Sequence, residues 1–556
     1  MKKKIMIAFV MCLVVGSGCK KYLNINSDPS SPQTPDLASL MQPVVSFTAK
    51  MMSVDIITVG QLTQNWNHQT ANETFDLHGG NTPAQSIALW RSFYAQQGVN
   101  VNLIIADGIK QQRWDYVGAA IALRAWGLQM TTDFFGEMPY KQAWEENRVT
   151  FTYDSQEEIY TAIDSLCLSA LSYLGRVDGN VNQTSFARGD RVYNGDVSKW
   201  TKFVYGLRAR NWHRLTNKPT YNADSVIFFI DKSFTSAADN FLVSHTATRN
   251  DDSNPVGPAR DNIVVRKQGR FIVQLMDGTN FFGNTNPASR DPRIRGMLTV
   301  SPDTATITTN MPTANGGYRF IAPSAGDPNT AATPNNNLQG IPTNPLFRQR
   351  PTTPYIDSAV TNPALNNFAA SLGKYVFRNN ALYPVMSYHE LQFIKAEAQQ
   401  RKGLNAQAIT TYRNAISAHF DFVNFFNTNA NPGIPSITAT QRTDYLASAA
   451  VVQTGGTINL TDIMLQKYIG DYGWNLLESW CDLRRYHYFD TDPNTLLQVY
   501  RGFAIPVYSS ANGGLKPQYR YRPTGVSEND WNLDELRRIG ALNVDYHTYE
   551  MWFSKP

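Results

Sequence analysis

The sequence predicts a mainly α protein, a scaffold of tetratricopeptide-like helical hairpins that carries long irregular ligand-binding loops. Three observations predict it. Apolar residues recur at helical spacing in two blocks, one on each side of the chain's middle. Between the blocks, from about Asp239 to Tyr375, that spacing fades into Asn, Thr, Gly and Pro. In the second block a helix, a Gly turn and another helix follow one another, a hairpin of tetratricopeptide size.

The N-terminus sets compartment before fold. Met1-Lys2-Lys3-Lys4 is a positive start, Ile5 to Val15 is apolar, and Gly16-Ser17-Gly18 lead into Cys19. The apolar run is far short of the roughly 20 residues a bilayer span needs, so it reads as a cleaved leader. The layout is that of a bacterial lipoprotein signal over residues 1–18, with Cys19 the lipidated first residue of the mature chain. Gly16 stands where Leu is expected and Val15 lies one place earlier; an ordinary secretory leader is the alternative. Residues 19–35, ending in Asp28-Pro29-Ser30-Ser31-Pro32, read as a lipid-anchored tether, and 36–556 as the helical domain, with 236–380 a loop-rich insertion.

The helices follow in order. Val99 to Met130 carries Leu103, Ala106, Ile109, Tyr116, Ala120, Leu123 and Leu128 in register, and Gly108 with Arg113-Trp114 predicts a break into a hairpin. Ser155 with Glu158 is a capping box that starts the next helix, Ile159 to Leu174 supplies its apolar stripe, and Gly175 stops it. Lys199 to Leu215 and Tyr221 to Phe234 are two more. After the irregular middle, Tyr388 to Lys402, Gly403 and Asn405 to Phe420 form the hairpin named above. Thr461 to Tyr486 is the last pattern, with Gly470 and Gly473 as candidate breaks.

Charge and cysteines narrow the function. The formal charge of +5 includes three leader lysines, so the remainder carries +2, scattered without a basic stripe; nucleic acid is not an expected partner. Of the four cysteines, Cys12 leaves with the leader and Cys19 is the anchor. Cys167 and Cys481 could pair in an exported protein, but both sit in apolar helical patterns, which favours two buried free thiols.

No catalytic set is present. His389-Glu390 opens like a zinc-protease helix, but Phe393 occupies the place of the second His. There is no phosphate-binding Gly loop and no G-x-S-x-G elbow. Glu157-Glu158 reads as acids in a first helical turn, and Asp251-Asp252 as a solvated loop rather than a calcium site. The expectation is therefore no enzyme, no cofactor and no metal.

Aromatic rings and amides remain. A sugar offers an apolar face to a ring and hydroxyl edges to polar side chains. Three stretches hold that mixture: Gln64 to Asn72, giving Trp66, Asn67, His68 and Asn72; Phe281-Phe282-Gly283-Asn284; and Gly316-Gly317-Tyr318-Arg319. Trp66, flanked by polar residues, is the expected exposed ring, whereas Trp90, Trp114, Trp126, Trp200, Trp212 and Trp480 fall in helical patterns and read as core. Core packing is the competing reading for each single ring.

Four elements in order resemble the SusD/RagB family of outer-membrane nutrient-binding lipoproteins of Bacteroidota. They are Tyr22-Leu23-Asn24-Ile25-Asn26-Ser27-Asp28-Pro29 after Cys19, Asp133-Phe134-Phe135-Gly136-Glu137-Met138-Pro139-Tyr140, the helix Tyr388 to Ala398, and Gln466-Lys467 with Glu478-Ser479-Trp480 and Asp482-Leu483-Arg484-Arg485. The resemblance implies a helical scaffold decorated by loops that carry the ligand. It implies a SusC-type TonB-dependent transporter as partner and an oligosaccharide, or in some members a peptide, as cargo. It implies a scaffold role for Glu397 and Arg484-Arg485, and it supplies no ligand residues, which lie on variable loops.

Overall fold

The computed structural model describes residues 35–54, 56–80, 87–260, 262–263, 265–283, 289–300, 318, 320–326, 371–430, 433–451, 456–509, 512, 516–523 and 526–556. Cys19, the leader and Arg319 lie outside the described residues.

The chain opens with α1 (Leu37–Val54) and α2 (Ile56–Leu62), then β1 (Trp66–His68) and the short α3 (Glu73–Asp76). The stretch Leu37–Leu62 is long and apolar enough to cross a bilayer, but two-thirds of its most apolar window is buried, with Met41, Val44, Ala49 and Val59 fully enclosed. It is a core helix.

Next come α4 (Ile87–Arg91), a π-helical turn (Ser92–Gly98), α5 (Val99–Lys110) and α6 (Trp114–Phe135). The break falls at Gln111–Arg113; Gly108 stays within α5, and Val117 of α6 packs where its side chain would be. α7 (Gln156–Leu174) starts at the expected capping box, with Ser155 Oγ accepting from Glu158 N and Glu158 Oε2 accepting from Ser155 N. α8 (Gln183–Ala187), α9 (Val197–His213) and α10 (Ala223–Asp231) complete the first block.

The described part of the middle contains short elements. It holds β2 (Phe241–Val243), β3 (Arg266–Gln268), α11 (Arg270–Met276), α12 (Thr279–Phe282) and α13 (Ile294–Met297), ahead of β4 (Tyr383–Met386). These pieces are short, and the strands among them draw their hydrogen bonds from distant chain, so no local period announces them. β2 pairs antiparallel with β4, and β1 with β3.

The second block is α14 (Tyr388–Arg401), α15 (Asn405–Asn427), α16 (Ala439–Ala447), α17 (Leu460–Asp471) and α18 (Leu476–Arg485), then α19 (Val526–Trp531) and α20 (Leu533–Arg538). Gly403, at φ +81°, makes the turn between α14 and α15 that a side chain would strain. The break between α17 and α18 includes Gly473, at φ +82° beneath the Phe377 ring.

Buried charge binds the blocks together. Arg210 of α9 makes two 2.6 Å contacts with Glu390 of α14. Arg214, just after α9, holds Asp133 of α6 at 3.0 Å and also pairs with Glu478 of α18. Glu397 of α14 accepts from Arg485 at 2.9 and 3.0 Å, from Tyr486 at 2.7 Å and from Arg401 at 3.0 Å, with His213 Nε2 at 2.9 Å. Lys467 pairs with Asp482 at 2.6 Å. Arg484 donates to the carbonyls of Asp133 and Tyr519 and lies 3.8 Å over the Trp480 ring. Glu397, Arg484 and Arg485 therefore hold helices together.

Cys167 and Cys481 are buried free thiols, as their apolar surroundings predict. Burial pushes the Cys481 thiol up to about 12 and that of Cys167 higher still. Trp90, Trp114, Trp126, Trp200 and Trp480 are core, and Trp212 is half-buried against it.

Candidate functional site

The loop-borne candidates begin at a two-stranded antiparallel sheet. β1 lies against β3 with Trp66 opposite Gln268, Asn67 opposite Lys267 and His68 opposite Arg266. The chain continues from β3 into Gly269, which bridges in parallel to Ile321. Ile321 N donates to Gln268 O at 2.9 Å, and Arg270 N donates to Ile321 O at 3.1 Å. Gly269 is required here, since a Cβ would sit 2.1 Å from Gln64 O. Residues 320–326 thus form a strap across the sheet.

Asp76, at the end of α3, fastens that strap. It is 1% exposed, yet it accepts from Gln61 Nε2 at 2.8 Å, Ser324 N at 3.1 Å and His68 N at 3.3 Å. Burial raises its carboxyl to about 6 against the pull of those donors and of nearby Arg266. Ser324 Oγ in turn accepts from Asn72 N at 3.2 Å.

Several expected ligand residues have structural work. Trp66 is a correction: it is fully buried, its Nε1 donates to Ile57 O at 2.8 Å, and its ring meets Phe377 edge-on at 6.5 Å. Gly60 makes room for the indole, where a Cβ would lie 2.3 Å from the ring. The polar flanks mislead because strand alternation is suspended there: Asn65 and Asn67 are buried as well. Asn67 is likewise withdrawn from solvent, its side-chain amide without a hydrogen-bond partner among the described residues. Asn72 caps α3, its Oδ1 accepting from Phe75 N at 3.1 Å.

Others stay near the surface. His68 is half-buried; Thr70 Oγ1 lies 2.8 Å from its Nδ1, and desolvation lowers its pKa. Phe281 and Phe282 sit half-buried on α12 between Gly278 and Gly283, both in the left-handed region. Asn280 Nδ2 anchors α12 to Arg501 O at 2.6 Å. Tyr318 is nearly buried, with the Arg290 guanidinium 5.9 Å over its ring. Phe320, half-buried, is the next described residue of the strap.

Contacts link the three stretches to one another. The strap bonds to the 66–76 segment through Ser324, and Tyr318 at its start meets Arg290. Arg290 lies close enough to Asp277 to stabilise its carboxylate, and Asp277 Oδ1 accepts from Thr279 N at 2.8 Å, at the head of α12. The linked segments, the strap face, present the half-buried rings Phe281, Phe282 and Phe320 with His68, Thr70, Arg266 and Lys267. Rings and polar groups of these kinds can stack against and hydrogen-bond a ligand. Asp251 and Asp252 instead pair with Arg249 and with Thr246 and Thr248, and no group of three metal-ligating side chains exists among the described residues. Sequence reasoning passed over Asp76, Arg266 and Ser324; only an acid four residues after Asn72 hinted at the first.

A family model described as "SusD-like_2: Starch-binding associating with outer membrane" matches residues 29–498. The chain belongs to the SusD-like family. Solved SusD-like structures share the fold. A SusD/RagB family protein from Bacteroides thetaiotaomicron aligns at 21% identity and TM-score 0.64 over 94% of this chain and 99% of its own. A chitin-binding protein aligns at 18% and 0.66 over 94% and 100%. An outer membrane protein of Bacteroides vulgatus, described as probably involved in nutrient binding, aligns at 17% and 0.61 over 94% and 99%. No curated protein matches the chain.

Proposed function

We propose that this SusD-like protein is a cell-surface glycan-binding lipoprotein. It would be anchored in the outer membrane through Cys19 and deliver oligosaccharide to a SusC-type TonB-dependent transporter. The observation that carries the reading is the family match across residues 29–498, whose description is starch binding at the outer membrane. The Cys19 leader pattern supports the anchor. The strap face supports the ligand class, since it offers rings and polar edges around Phe281, Phe282, Phe320 and His68. Binding by such a face needs no catalytic group.

Affinity electrophoresis of the mature chain in gels cast with starch, chitin-derived and other plant and microbial polysaccharides tests the reading. Retardation by at least one glycan supports it. No retardation by any glycan, together with capture of peptides, would assign the protein to the peptide-importing branch.

A further inference from the structure

A depression lies where the 137 turn meets the C-terminal segment. Its volume is about 520 Å³, and it is lined by Glu137, Lys516, Tyr519, Tyr549, Glu550 and Lys555, among others. None of these residues belongs to the strap face.

Charge pairing within it is uneven. Glu137 is held by Arg520 at 2.5 Å. Glu550 is held by His487 at 3.0 Å, and His487 also contacts Asp490 at 2.7 Å. Both rim acids therefore already have cations built into the fold. The ammonium groups of Lys516 and Lys555 are exposed and have no ion-pair or hydrogen-bond partner among the described residues; Lys555 acts on Glu550 only through space. Tyr519, nearly buried, and Tyr549, whose hydroxyl accepts from Asn543 Nδ2 at 2.7 Å, give the depression two fixed rings.

We infer that this depression is a second binding site, for an acidic sugar: a pyranose ring bearing one carboxylate, as in a uronate. The two unpaired lysines supply point charges for the carboxylate. Tyr549, half-buried, takes the apolar ring face. The paired acids accept from hydroxyl groups. The site goes beyond the proposed function and does not rest on it.

Calorimetry of the mature chain with trigalacturonate, and with neutral galactotriose of the same length, tests it. The expected result is binding of trigalacturonate that weakens about tenfold in each of Lys516→Ala and Lys555→Ala. Lys516→Arg and Lys555→Arg should keep binding. Binding that survives the double alanine variant would overturn the inference, as would no binding of trigalacturonate. Inorganic phosphate competing as well as the uronate would also overturn it, by showing a plain anion site. Binding of neutral galactotriose reads the strap face separately, so the lysine-dependent part of trigalacturonate binding is the part assigned to this depression.

Discussion

Ser324 donates its backbone N–H to Asp76 Oδ2 at 3.1 Å across 248 residues of sequence. The same carboxylate holds Gln61 and the backbone of His68, so one buried acid ties α2, β1 and the strap. Asp76→Ala leaves these donors without their acceptor, at about 1–3 kcal/mol for each that stays buried. The expected outcome is a lower melting temperature and faster hydrogen exchange at Ser324 than at core amides such as Leu207.

Asp76 also gives a pH signature. Its folded carboxyl titrates at about 6 against an ordinary 3.8, so the folded state favours the protonated form. That contribution is fully present below 3.8 and is lost as pH rises through about 6, on the order of 3 kcal/mol in all. Asp76→Asn cannot ionise. Melting temperatures of both proteins from pH 4 to 7 should therefore shift in the variant's favour as pH rises. A constant difference would contradict the buried-carboxylate account.

Trp66 is core, and its variants should behave so. Trp66→Ala should cost about 3–5 kcal/mol of stability, read as a lower urea midpoint with loss of near-ultraviolet dichroism. Trp66→Phe should fold and leave glycan affinity unchanged, because no face of the ring reaches solvent.

Glu397 accepts from Arg485, Arg401 and Tyr486 and contacts His213, all deep in the scaffold. Glu397→Ala strands those cations in the interior, where losing one partner of a buried pair costs about 3–5 kcal/mol. The urea midpoint should fall accordingly.

Cys167 and Cys481 should resist a thiol reagent in the native protein and react on unfolding, since burial keeps both protonated. Native reactivity at either would contradict the packing around it.

The scaffold was legible because its helices carry their own punctuation. The Ser155–Glu158 cap and the Gly403 turn stand where local chemistry places them. The face was less legible, because its order is non-local. β1 exists only against β3, and the strap only against Gly269 and Asp76, so neither leaves a period in the sequence. Trp66 shows the cost. Polar neighbours marked it as exposed, yet Asn65 hydrogen-bonds to Tyr468 and is buried with it. α1 was missed for a different reason: its apolar stretch directly follows the Pro-rich tether and includes Pro43.

The central claim is that the strap face binds glycan. Calorimetric titration of the mature chain with a glycan that retards it in gels, comparing Phe281→Ala/Phe282→Ala with Trp66→Phe, tests it most directly. The account predicts affinity reduced by about tenfold or more in the first variant, at the scale of one or two stacking contacts, and unchanged in the second. Full affinity in the Phe281→Ala/Phe282→Ala protein would contradict it and move the ligand off this face.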